Sequence, residues 1–172
     1  MKHWLILMAA AAVAAMLPSC SNQVPAGRAV EYHFEPGRTA LFRDGLAYAP
    51  KSAPAAVKRA IQAGNRLQNK PYKWGGGHRI HNDSGFDCSG SVSYVLREAG
   101  LLRGCLDSRS FLKYGKKGMG EWITVYVRNG HVFLTVAGLR LDTGGARVET
   151  GPRWKPCRRG VRGYVVRHPS GL

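Results

Sequence analysis

The chain has 172 residues, with 26 Lys and Arg against 10 Asp and Glu, a formal charge of +16 at neutral pH. Hydrophobic residues make up 44% and charged ones 21%, ordinary globular usage that excludes a mainly disordered chain, a collagen-like repeat and a polytopic membrane protein. No repeat of fixed period is present, which argues against solenoids and propellers, and the length supports one packed core.

The first elements read as an address. Lys2 supplies a short positive end, and Leu5 to Leu17 is an unbroken apolar run, too short to anchor across a bilayer but suited to a secretory signal. Leu17-Pro18-Ser19-Cys20 resembles a bacterial lipobox. Residues 1–19 are therefore expected to be a signal peptide of the lipoprotein type, with Cys20 lipidated and the protein exported to a membrane facing the periplasm. Residues 20–50 hold Pro25, Gly27, Pro36, Gly37, Gly45 and Pro50 with little periodicity, which predicts a tether and N-terminal arm. The domain is then expected over residues 51–172.

A helix is predicted from about Pro54 to Asn69, with Ser52 as its cap and Val57, Ala60, Ile61, Gly64 and Leu67 on one face. Pro71-Tyr72-Lys73-Trp74-Gly75-Gly76-Gly77 follows, a breaker, aromatics and three glycines, which is loop chemistry for close backbone approach. A second, short helix is predicted to start at Asp87-Cys88-Ser89-Gly90 and to end at Gly100. A third short one is predicted over Ser108 to Tyr114. Residues 122–128, 131–137, 139–143 and 161–167 are rich in Val, Ile, Thr, Tyr and Phe, with turns at Asn129-Gly130 and Gly138, and read as antiparallel strands. Helices first and strands after predict an α+β domain, with N-terminal helices packed on an antiparallel sheet.

Cys88 lies in the first turn of a predicted helix, where unsatisfied amides and the dipole favour an anion and so a nucleophilic thiolate. Such a nucleophile needs a base, usually His, oriented by a third polar group. Of His78, His81, His131 and His168, His131 is best placed, because it follows a turn and opens a strand. Asp142 on the next strand lies within reach across a tight hairpin. The other reading of Asp142 is a turn cap or an Arg partner.

Tyr72-Lys73-Trp74-Gly75-Gly76, Gly85-Phe86-Asp87-Cys88-Ser89-Gly90 and Gly130-His131-Val132 together resemble the NlpC family of bacterial cell-wall peptidases, which are papain-like cysteine enzymes. The resemblance spans roughly residues 54–168. It implies Cys88 as nucleophile, His131 as base, Asp142 in the third polar position, and Tyr72 beside the cysteine, helping to shape the oxyanion site. Trp74, Asp87 and Ser89 are the other residues expected at the oxyanion or substrate-binding site. The implied activity is hydrolysis of an amide in the peptidoglycan stem peptide, between D-glutamate and a diamino acid. Two other readings stay open: an amidase or acyltransferase with the same Cys-His site, and a non-catalytic basic envelope-binding lipoprotein.

Two features depart from the family pattern. The third position is more often His or an amide residue than Asp, and the loop from Gly76 to Gly85 carries His78, His81 and Asp83. His78-x-x-His81 reads as a polar rim of this loop, and neither a metal nor a cofactor is expected. Cys105 and Cys157 are expected to pair as a disulfide in an oxidising compartment, the alternative being two free thiols. The excess of basic residues favours polyanions, either anionic envelope polymers or a membrane surface. Nucleic acid is not expected as a partner, since there is an export signal and neither zinc-finger spacing nor a basic helix with heptads.

Overall fold

A computed structural model describes residues 29–144 and 150–172. The expected signal peptide and the lipidation of Cys20 lie outside the described residues. In chain order the elements are β1 (Ala29–Val30), β2 (Leu41–Arg43), β3 (Leu46–Tyr48), α1 (Ala55–Arg66), α2 (Cys88–Glu98), a 3-10 turn (Ser110–Lys113), β4 (Lys116–Lys117), β5 (Ile123–Arg128), β6 (His131–Val136), β7 (Leu139–Asp142), β8 (Arg153–Lys155), β9 (Arg159–Gly160) and β10 (Val165–His168). The fold is α+β: β4, β10, β5, β6, β7 and β8 form one antiparallel sheet in that order, and α2 packs on β6 with α1 beside it.

Tight turns set the register of the central strands. Asn129-Gly130 closes β5 on β6, pairing Arg128 with His131, and Ala137-Gly138 closes β6 on β7, pairing Val136 with Leu139. Ala137 and Gly138 both have positive φ, 45° and 77°, the type I′ geometry that matches strand twist. Leu134 and Leu141 then lie opposite one another and are fully buried. Helix α2 is buried from Ser89 through Leu96, as befits an element enclosed between sheet, α1 and loops.

The described part of the arm expected over residues 20–50, from Ala29 onward, is structured. β2 and β3 form a hairpin, Asn65 of α1 donates to the Ala47 carbonyl at 2.8 Å and accepts from the Ala47 amide at 2.9 Å, and Ala40 and Ala47 are core residues. Small side chains make this docking close, and too few apolar residues recur there for periodicity to signal it. Ser52 does not cap α1; Pro54 is at the cap position without a side-chain bond, and the Ser52 hydroxyl donates to the Gly37 carbonyl. The final predicted strand is shorter and later, β10, and β8 was not predicted. Trp154 of β8 packs on Gly64 so tightly that a Cβ there would lie 2.2 Å from the indole.

Candidate functional site

Three glycines set the backbone on which the site stands. A Cβ on Gly90 would lie 1.9 Å from the Gly76 carbonyl oxygen, and one on Gly76 would lie 2.3 Å from that of Gly85. The Trp-Gly-Gly loop and the start of α2 are therefore in close backbone contact. Phe86 and Pro71 pair through the Phe86 amide and the Pro71 carbonyl (3.0 Å), and the Lys73 amide donates to the Phe86 carbonyl (3.3 Å). This short ladder, with its Tyr72–Phe86 bridge, ties the backbone at Tyr72 to the residue two before Cys88.

Asp87 is the N-cap of α2. Its Oδ1 accepts from the Gly90 amide (2.7 Å) and the Ser89 hydroxyl (3.1 Å), and its Oδ2 accepts from the Gly75 amide (3.1 Å). The cap thus ties the glycine loop to the helix start and leaves half-buried Cys88 as the first helical residue, at the positive end of the dipole. Asp87 and Ser89, expected to bind the oxyanion or substrate, are buried with their side chains in this cap network, so they hold the backbone on both sides of Cys88. Trp74 stands in the solvent, 87% exposed.

His131 opens β6 and is buried. Its Nε2 lies 2.9 Å from Asp142 Oδ1, and the Cys88 side chain is near enough to the ring to favour its charged form. An ionised carboxylate only accepts, so Nε2 carries hydrogen toward Asp142 and Nδ1 is the nitrogen available to sulfur. Burial disfavours the charged ring, but hydrogen bonds to Asp142 and Cys88 and the charges of both outweigh it and raise the His131 pKa to about 9. For Asp142 the balance runs the other way. Burial raises its pKa, while the His131 bond and charge, the Gly144 amide and the Arg140 charge lower it further, leaving it below the usual value.

Arg140 completes the site and was not singled out in the sequence. Its Nη1 donates to Asp142 Oδ2 at 2.6 Å, Gly144 donates its amide to Oδ1 at 2.8 Å, and Arg159 Nε lies 3.7 Å from Oδ2. Asp142 thus meets both His131 and an Arg. The available signal was the i, i+2 spacing of Arg140 and Asp142 on one strand, which puts both side chains on one face. A charged Asp in the third position needs a cation that a neutral residue there would not.

The remaining candidates take other partners. His81 Nε2 meets Glu98 Oε1 at 2.7 Å, and His168 Nδ1 meets the Gly118 carbonyl at 3.0 Å. His78 Nε2 faces Asp87 Oδ1 at 3.1 Å, so the two loop histidines point to different carboxylates. The expected Cys105–Cys157 disulfide is not formed. All three described cysteines are free, because the Cys105 sulfur is held against His78 Nδ1 (3.3 Å) and that of Cys157 against Arg140 Nη2 (3.1 Å), on different parts of the fold.

No family model matches the chain, and no curated protein matches it significantly. Among solved structures the chain is similar to one of the resuscitation promoting factor interacting protein RipA carrying a glutamate substitution. The identity is 27% and the TM-score 0.50, and the match covers 68% of this chain and 66% of that one. The chain thus spans just under two thirds of that relative.

Proposed function

We propose that this protein is a cell-wall hydrolase, a cysteine peptidase that cleaves an amide bond of the peptidoglycan stem peptide. The observation that carries the reading is Cys88 at the α2 N-terminus with its side chain near the His131 ring, and buried Asp142 hydrogen-bonded to that ring. The motif resemblance and the similarity to RipA support the same reading.

In this mechanism His131 takes the Cys88 proton, giving a thiolate and imidazolium stabilised by the helix N-terminus and by Asp142. The sulfur attacks the amide carbonyl carbon. The resulting oxyanion is met by the Cys88 backbone amide, which has no intrahelical partner at the first helical position, and by the Tyr72 hydroxyl. Imidazolium then protonates the leaving amine as the C–N bond breaks, and a water activated by the neutral ring hydrolyses the thioester. Asp142 stays ionised throughout and keeps the His131 tautomer. The bond between D-glutamate and a diamino acid is the proposed scissile bond.

The proposal extends to location. Export through the signal peptide and lipid attachment at Cys20 would hold the enzyme at a membrane facing its substrate, and the charge of +15 left when Lys2 is removed from the total of +16 would hold it near anionic envelope polymers or lipid phosphates.

The test is incubation of the protein with defined muropeptides and mass analysis of the products, with Cys88→Ala and His131→Ala in parallel. Cleavage by the wild type alone is expected, and the product masses name the bond. Wild-type inactivity on every muropeptide with rapid alkylation of Cys88 would move the assignment to an amidase or acyltransferase. Inactivity with an unreactive Cys88 would favour the envelope-binding lipoprotein.

A further inference from the structure

A second chain of the same atoms lies beside the first. His78 presents Nδ1 to the Cys105 sulfur at 3.3 Å and Nε2 to Asp87 Oδ1 at 3.1 Å and Ser89 Oγ at 3.2 Å, much as His131 turns Nε2 to Asp142 Oδ1 with Cys88 near its ring. The Asp87 carboxylate accepts only and the Ser89 hydroxyl gives its own hydrogen to that carboxylate, so Nε2 bears the hydrogen and Nδ1 offers its lone pair to the Cys105 thiol. The other acceptors near that sulfur, the carbonyls of Gly77 and Leu106, are weaker claims on its proton at 3.8 and 3.9 Å. Asp87 is buried and fixed by the Gly90 and Gly75 amides, so the His78 ring has a rigid orienting partner.

The residue is also only partly enclosed. Cys105 is half-buried, and Arg103 and Gly104 before it are exposed. A side chain at Gly104 would meet nothing within 4 Å, so the chain just before Cys105 borders open space.

We propose that Cys105 is a second activated thiol, a modification site for small disulfides, with His78 as its base and Asp87 as the group that orients His78. The step is thiol–disulfide exchange. His78 Nδ1 takes the Cys105 proton, the sulfur attacks one sulfur of the disulfide, and that S–S bond breaks as the Cys105–S bond forms. The leaving thiolate departs as a thiol with the proton from His78. No other oxidant is required, because the disulfide itself is reduced. The site does not depend on the peptidase reading, since it uses neither Cys88 nor His131.

The experiment uses the full chain with Cys20→Ser, Cys88→Ala and Cys157→Ser, which leaves Cys105 as the sole thiol of four cysteines. Oxidised glutathione is added at neutral pH, and the mass gain of one glutathione is followed with time, native and in urea. Native Cys105 is expected to react at least about tenfold faster than the unfolded chain, a threshold set below the roughly 10²–10⁴-fold typical of a positioned base. His78→Gln, with its fold checked by circular dichroism, is expected to bring the native rate down to the unfolded one. A native rate equal to or below the unfolded rate would overturn the proposal, and that comparison stands even where the His78 variant does not fold. Retention of the full native rate in a folded His78→Gln protein would overturn the base assignment and with it the site.

Discussion

Arg140 and Asp142, two residues apart on β7, form an ion pair closed to solvent, with Arg140 Nη1 donating to Asp142 Oδ2 at 2.6 Å while both residues are about 1% exposed. Each carboxylate oxygen therefore has its own charged or polar claimants: Oδ2 takes the guanidinium, and Oδ1 takes His131 and the Gly144 amide. The pair fixes the carboxylate on which the orientation of His131 depends.

Removing one member should hurt more than removing both. Arg140→Met leaves Asp142 buried and short of its cation, an expected loss of about 3–5 kcal/mol in unfolding free energy. In an Asp142→Asn background the same change should cost less, because no buried charge is stranded. Urea unfolding of the two single variants and the double variant gives the coupling, expected at roughly 0.5–3 kcal/mol. Additive losses would mean that Arg140 acts by packing alone.

The raised pKa of His131 makes stability depend on pH in the alkaline range. Its folded value, about 9, lies above its ordinary value of 6.5, so the folded state holds the ring proton more tightly than the unfolded chain. The stabilisation is fully present below pH 6.5 and is lost as pH rises through about 9. The difference in unfolding free energy between wild type and His131→Gln is expected to shrink over that window and to level off above it. A difference independent of pH from 6 to 10 would contradict the buried, paired imidazole.

Gly90 is predicted to be irreplaceable. An alanine Cβ would lie 1.9 Å from the Gly76 carbonyl oxygen, and neither backbone can yield without opening the cap of α2. Overpacking of this kind costs about 1–3 kcal/mol or more. Gly90→Ala should lower the thermal midpoint and the rate of Cys88 alkylation together. A variant with unchanged alkylation would show that the loop and helix can separate without disturbing the nucleophile.

Trp74→Ala separates binding from stability. At 87% exposure the indole contributes almost nothing to the core, so the unfolding free energy should change by less than about 0.5 kcal/mol. Loss of this aromatic surface should instead raise KM for muropeptides while leaving kcat nearly unchanged. An unchanged KM would remove Trp74 from the proposed substrate groove.

Much of the fold was legible because its signals are local. The 3.6-residue recurrence of Val57, Ala60, Ile61 and Gly64 announces α1, the run of β-branched and aromatic residues announces β5 and β6, and Asn129-Gly130 and Gly138 mark the turns that pair them. The spacing of Asp87, Cys88 and Gly90 likewise announces a capped helix start carrying a thiol. The hairpin of β2 and β3 was not legible. Strands of three residues present too few positions for alternation to register, and their docking depends on Asn65, far along the chain.

The sequence by itself determined the residue types and the short-range geometry: a thiol in the first turn of a helix, a histidine at the start of a strand, and an aspartate across a tight turn from it. The tertiary structure decided the partners. Whether Asp142 faces His131, Arg140 or both depends on which side of β7 meets the rest of the core, and the cysteines could be paired or separated only by packing. A thiol finds its nearest neighbour in space, and here Cys105 finds His78 and Cys157 finds Arg140. Local propensity acts over a few residues, whereas contacts across the sheet and loops bring together groups dozens of residues apart, and their geometry emerges only when the core closes.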